Sequence, residues 1–166
     1  MHNPASVYAS AEHFDAEMRV LFEGMPQLAG LSCDVREPGS YLTITLGRVP
    51  VAVVRQDDGS LRAFVNACRH RGSVLLREGL GEGLRKIQCP YHAWTYGLDG
   101  CLKAFPGAGA GFDDVDKSTH GLRQRRSIHR RLGPCAVRKR NLPTSTSATT
   151  PVSRPVCVSR RSTGSS

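Results

Sequence analysis

Two short runs of this chain hold residue types able to bind a transition metal. CRHRG carries Cys68 and His70, and CPYHAW carries Cys89 and His92, with residues 71–88 between the two pairs. Thiolate binds and bridges iron strongly, and imidazole is a neutral donor that suits iron as well. Two Cys and two His form the ligand set of a 2Fe–2S centre in which two His replace two Cys on one iron. That exchange removes two negative charges from one iron and eases its reduction. The expected division puts Cys68 and Cys89 on the iron that stays ferric, and His70 and His92 on the iron that takes the electron. Zinc also accepts Cys2His2 sets, but usually as a Cys pair followed by a His pair on a helix. Here each pair is mixed. Gly72 and Pro90 are expected to shape the two loops, one by allowing positive φ and the other by fixing it. A cluster of this kind moves electrons only, so it implies a redox partner.

The elements that must hold these loops are legible as short strands. YLTITL (41–46), VPVAVVR (49–55) and LRAFVN (61–66) precede the first pair, with DDGS (57–60) as a turn. RKIQC (85–89), AWTYG (93–97) and CLKAF (101–105) surround the second, with LDG as a turn. The fold class is therefore mainly β, a small antiparallel domain in which both pairs follow directly on strands. Upstream, Ser10 can cap a helix over about 11–24, where Phe14, Met18, Leu21 and Phe22 form one apolar stripe expected to pack. GLGEG (79–83) lacks the strand–loop–helix context and the Lys-Ser/Thr ending of a phosphate loop. It reads as a mobile hairpin tip.

Charge divides the chain. Residues 1–120 hold 12 Lys and Arg against 14 Asp and Glu, whereas 121–166 hold 11 basic residues and no acid. Phe112 is the last aromatic residue and Asp116 the last acid. The Arg/Ser/Thr/Pro-rich stretch beyond has too little apolar surface to offset its ordering entropy. The expected organisation is an entry segment with a helix (1–38), the β domain (39–120) and a disordered basic tail (121–166). A nucleic-acid-binding arm is disfavoured because the Arg residues are scattered and no aromatic residues interleave them. No apolar run approaches the ~20 residues of a membrane span, and no secretory signal is visible. Of the six Cys, Cys33 and Cys101 are expected to be small buried hydrophobes. Free thiols beside an iron–sulfur site fit a cytoplasmic setting.

NACRHRGSVLL followed by CPYHAWTYGLDGCLKAFP closely resembles the N-terminal Rieske domain of the α subunit of aromatic-ring-hydroxylating oxygenases. The likeness runs more loosely from about Tyr8 to Arg123. It implies a Rieske-type β domain with Cys68, His70, Cys89 and His92 as ligands of a 2Fe–2S cluster, and with Arg71 and Trp94 lining the cluster pocket. It also separates this chain from the Rieske proteins of cytochrome bc complexes, which carry a disulfide between the loops and a Ser bonded to a cluster sulfur. Ser73, Tyr91 and Trp94 stand at those positions, so fewer hydrogen bonds reach the sulfurs. That implies a potential near the lower end of the Rieske range of about −150 to +300 mV. Gly72 and Tyr91 complete the residues expected around the cofactor.

By resemblance, the function is electron transfer in a dioxygenase or monooxygenase of aromatic hydrocarbon catabolism. Electrons would come from an NAD(P)H-dependent reductase or a ferredoxin and go to a mononuclear Fe(II) in a neighbouring subunit. That iron needs two His and a carboxylate. After His92 only His120 and His129 remain, and no carboxylate side chain follows Asp116. The iron, the homo-oligomer and the oxygenase activity are therefore expected only of a full-length protein. The alternative is a stand-alone Rieske-type ferredoxin. The abrupt change after HGLR (120–123) matches high-GC coding sequence read out of frame, and a shifted frame is the expected origin of the tail.

Overall fold

A computed structural model describes residues 3–107, 112, 115–129 and 134–138 of the chain. Two short helices open it, α1 (Ala5–Ala9) and α2 (Ala11–Glu17), the second continuing as a π-helical turn over Met18–Phe22. The Ser10 hydroxyl accepts from the His13 N–H at 3.3 Å, the cap its position suggests. Of the expected apolar stripe only Met18 is buried, while Phe14, Leu21 and Phe22 stay about half exposed. The helical segment is tied to the fold by the Arg48–Asp15 ion pair, by the Arg48 guanidinium over the Phe14 ring, by Met18 beside Gly47 and by the Gln27 amide, which donates to the Leu21 carbonyl.

Seven strands form one antiparallel sheet. In chain order they are β1 (Gln27–Leu31), β2 (Tyr41–Leu46), β3 (Val49–Arg55), β4 (Leu61–Val65) and β5 (Gly79–Gly81), with two more to follow. A second sheet comprises β6 (Ile87–Gln88), β7 (Thr95–Tyr96) and β8 (Leu102–Ala104). The chain then returns to the first sheet as β9 (Gln124–His129) and β10 (Pro134–Arg138), giving the order β1-β10-β9-β4-β3-β2-β5.

The run VPVAVVR explains the layering. Strand side chains alternate between faces, and here both sets are apolar. Val51 and Val53 join Val35, Leu61 and Ala63 in one core, while Ala52 and Val54 join Phe64 in the other. The second core also takes Cys68, Cys89, Trp94 and Tyr96, so the small sheet packs on the large one with the cysteines between them.

Three differences from the sequence reading have physical causes. Gly79–Gly81 is an edge strand paired with Tyr41–Thr43, not a free hairpin tip. Its glycines suit a close approach, since a side chain at Gly81 would run into the Tyr41 ring. The sheet also crosses both expected divisions: β1 lies before residue 39, and β9 and β10 lie after 120. Within the segment expected to be unstructured, Gln124–His129 and Pro134–Arg138 find backbone partners, and the Ser127 hydroxyl donates to the Leu61 carbonyl at 2.8 Å. The stretch from 139 onward lies outside the described residues. Finally, Cys33 is exposed beside Asp34 rather than buried, and Cys101 is buried but joined in a disulfide. Among the described residues no helix is long and apolar enough to cross a membrane.

Candidate metal centre

The two ligand loops share one hydrogen-bond frame. In the first, the Cys68 N–H donates to the Ser73 carbonyl at 2.8 Å, and the Cys68 carbonyl accepts from the Gly72 N–H at 3.0 Å. In the second, the Cys89 N–H donates to the Trp94 carbonyl at 2.8 Å, and the Cys89 carbonyl accepts from the Ala93 N–H at 3.1 Å. Each loop therefore closes between the cysteine and the fourth and fifth residues after it. Each passes through a left-handed backbone at the fourth, with φ of 74° at Gly72 and 54° at Ala93. Ala93 is the one non-glycine residue in that region among the described residues.

This frame brings the four expected donors to one place. Cys68 and Cys89 are 4% and 3% exposed, in the core between the sheets. His70 and His92 are partly exposed, with ring centroids 4.7 Å apart in an edge-on arrangement. Behind them the Trp94 ring lies nearly parallel to His70, at 5.2 Å and 7°, and Phe112 meets both rings edge-on. Phe105 and His120 complete the packing around Trp94. Trp94 is buried, whereas Arg71, Gly72 and Tyr91 are exposed at the loop tips.

Two residues that the sequence reading passed over hold the first loop. Asn66 is buried, its amide donating to the Leu76 carbonyl at 2.8 Å and accepting from the Leu76 N–H at 3.0 Å. A side-chain amide here imitates a backbone pair and shuts the base of the loop. Tyr96 is fully buried, with its hydroxyl 3.2 Å from Cys68 Sγ and accepting from the Arg69 N–H at 3.0 Å. This hydroxyl reaches the sulfur of an expected ligand from the strand after the second loop. Asn66 stands in the quoted motif NACRHRG and Tyr96 in AWTYG, but only the strand pairing reveals which way each side chain faces.

The two thiols differ electrostatically. Burial pushes the Cys68 thiol up, and the Tyr96 hydroxyl offsets only part of that. Burial raises Cys89 too, but the backbone N–H groups of His92 and Tyr91, with the neighbouring Cys68 thiol, outweigh it and hold the thiol below its usual value. His70 is lowered by burial first, then by the neighbouring His92 and Arg71. Burial chiefly, with its bond to Cys68, holds the Tyr96 hydroxyl protonated and so available as a donor.

The donor set fits a binuclear iron–sulfur cluster. Two thiols lie dry in the core, and two imidazoles stand at its edge. The four expected donors stand as two buried thiols and two edge-exposed imidazoles, the two-and-two set that a 2Fe–2S cluster of this kind takes. The molecule is a small antiparallel β domain of two packed sheets with that donor set between them and at their edge.

Comparison with known proteins agrees. Residues 25–123 match the Rieske [2Fe-2S] domain family, and the chain belongs to it. The family's cofactor is a 2Fe–2S cluster. The chain is 43% identical over 120 residues to the glycine betaine monooxygenase oxygenase subunit of Chromohalobacter salexigens, matching 72% of this chain and 26% of that protein. It is 37% identical over 120 residues to the anthranilate 1,2-dioxygenase large subunit of Acinetobacter baylyi, with 72% and 25% covered. Among solved structures it resembles naphthalene 1,2-dioxygenase, with a TM-score of 0.75 and 29% identity over 83% of this chain and 31% of that one. It also resembles the quaternary ammonium Rieske monooxygenase CntA bound to L-carnitine, with a TM-score of 0.77 and 28% identity over 85% and 39%. The chain thus spans about a quarter of the length of the curated relatives it matches and corresponds to the N-terminal region of Rieske oxygenase α subunits.

Proposed function

We propose that Cys68, His70, Cys89 and His92 hold the 2Fe–2S cluster, and that this domain is the electron input of a Rieske oxygenase α subunit. A cluster so ligated supplies a one-electron store at a moderate potential. The chain's residues bury the two sulfur ligands, stack Trp94 on His70, and leave both imidazole rings at the edge. One observation carries the reading: two loops with the same hydrogen-bond frame set two dry thiols beside two paired rings.

Electrons would come from an NAD(P)H-dependent reductase or a ferredoxin. They would pass to a mononuclear iron in the part of the relatives that lies beyond this domain. The named substrates of the relatives include glycine betaine, choline, benzene and anthranilate. One Rieske domain type serves all of these, so substrate choice belongs to the other part of such proteins.

The test is reconstitution of the full chain with iron and sulfide, followed by EPR after reduction. A rhombic 2Fe–2S signal is expected. A preparation that takes up zinc and stays silent on reduction would refute the assignment. His92→Cys should keep a cluster and lower its potential, because a charged thiolate replaces a neutral imidazole. An unchanged potential would remove His92 from the ligand set.

A further inference from the structure

We propose that the face of the large sheet where β4, β9 and β10 meet binds a linear oligophosphate, along a row of arginines that begins with Arg62 and Arg126. The site is remote from the ligand loops in the reasoning and stands whether or not the four donors hold a cluster. In the sequence these arginines are scattered, and the strand register aligns them. Ala63 lies opposite Arg125 and Phe64 opposite Gln124, so the next pair in that register is Arg62 with Arg126. The Ser127 hydroxyl reaches the Leu61 carbonyl at 2.8 Å, so the two strands are still adjacent one step further on. On the other side of β9, Arg126 lies opposite Arg138. Three neighbouring strands thus place an arginine at one level, in a row about 10 Å long.

The register also makes the first two arginines an uneasy pair. The Val65 N–H donates to the Arg123 carbonyl at 2.8 Å, so 65 and 123 are a hydrogen-bonded pair. Pairs alternate along an antiparallel ladder, which puts Arg62 and Arg126 at a non-hydrogen-bonded position, the kind whose side chains lie closer. Like charges placed opposite one another destabilise a sheet. Among the described residues the ion pairs are Arg48–Asp15 and Lys103–Asp99, so no acid pairs with the row. Asp58, in the turn before β4, is near enough to feel Arg62, but its carboxylate accepts from the Ser60 N–H at 2.8 Å. Arg62 Nη1 is buried and has no hydrogen-bond partner. A buried cationic donor is costly until an acceptor reaches it.

The guanidinium fork matches carboxylate and phosphate oxygens alike, and spacing chooses between them. Neighbouring strands lie ~4.8 Å apart. Carboxylates on one face of an extended acidic peptide recur every second residue, at ~6.7 Å, and fall out of step with the row. An oligophosphate carries charge on every unit and can follow it. No Phe, Tyr or Trp stands on β9 or β10, and Phe64 of β4 is fully buried, so the face offers no platform on which bases could stack. The ligand chemistry is therefore a chain of phosphates held without a base contact.

The test is calorimetric titration of the full chain with sodium tripolyphosphate at low salt, with ATP, orthophosphate and a short DNA duplex as comparison probes. Tripolyphosphate should bind about tenfold or more tightly than orthophosphate, and ATP no more tightly than tripolyphosphate. Arg62→Gln and Arg126→Gln should each weaken tripolyphosphate about tenfold, the loss of one charge-assisted contact. Arg125→Gln removes the same charge from the opposite face, where Arg125 borders Val51 and Val137. It should change the affinity less than about twofold. Tripolyphosphate should raise the denaturation midpoint of the parent chain and leave that of Arg126→Gln where it is, which separates lost binding from lost folding. Equal losses in all three variants would overturn the proposal, because net charge alone would then attract the anion. So would an orthophosphate affinity equal to that of tripolyphosphate, or no binding at all. A duplex that binds more tightly than tripolyphosphate, and is lost in Arg62→Gln and Arg126→Gln, would overturn it and give the row to nucleic acid.

Discussion

The first and second ligand loops have the same backbone frame but are supported in different ways. Cys68 and Cys89 each close a loop onto the fourth and fifth residues beyond them, yet the histidine comes two residues after Cys68 and three after Cys89. The first loop is the longer excursion, running from Asn66 to Thr43's contact at Arg77, and it is fixed at its base by side chains. The second is a tight turn between β6 and β7 that needs no such clamp. Cys68 also meets a hydroxyl from the strand after the other loop, that of Tyr96. That contact braces the first loop from the second, and the described hydrogen bonds hold no matching hydroxyl on Cys89.

The largest expected break in that comparison is Asn66→Ala. It leaves the buried Leu76 N–H and carbonyl without partners, which should cost about 3 kcal/mol. Chemical denaturation of the reconstituted chain would measure it, and the second loop has no counterpart whose loss should cost as much. An unchanged denaturation midpoint would show that the first loop is held by its ligands alone.

Tyr96→Phe probes the brace itself. A donor to a thiolate sulfur favours the reduced, more negative cluster, so its removal should lower the potential. If the bond is stronger in the reduced state by about 1 kcal/mol, the one-electron shift is about 40 mV. Redox titration followed by EPR would measure it. A rise in potential would reverse the assigned role.

The short β-type runs at 41–46, 49–55 and 61–66, punctuated by turn residues, were enough to place β2, β3 and β4, because each of those strands has at least one firmly apolar face. β1 was not legible, since only Ala29 of QLAGL is buried and its pairing partner is more than a hundred residues away. Strands β5, β9 and β10 share that difficulty. GLG offers one side chain and QRRSIH mostly polar ones, so backbone pairing rather than burial makes them strands. At the candidate site, residue type and spacing name four expected donors, and the fold sets their two loops side by side. Their supports were less so: Asn66 and Tyr96 are ordinary residues until the register turns Asn66 toward Leu76 and Tyr96 toward Cys68. Exposure was equally hidden: of the two residues expected to line the pocket, Arg71 is exposed and Trp94 is buried.

The finest comparison is at the left-handed position of each loop. Gly72 has open space where a Cβ would sit, so Gly72→Ala adds no clash and tests the backbone alone. A left-handed alanine costs about 1–2 kcal/mol, and the loss of glycine's freedom in the unfolded chain returns about 0.4–1 kcal/mol. Gly72→Ala should therefore destabilise by roughly 0.5–1 kcal/mol. Ala93→Gly should stabilise by a similar amount, because the second loop already carries the strain that the first avoids. Denaturation midpoints of the two variants should move in opposite directions. If both fall, Ala93 contributes something its methyl group supplies beyond backbone geometry, and the two loops are alike in hydrogen bonds only.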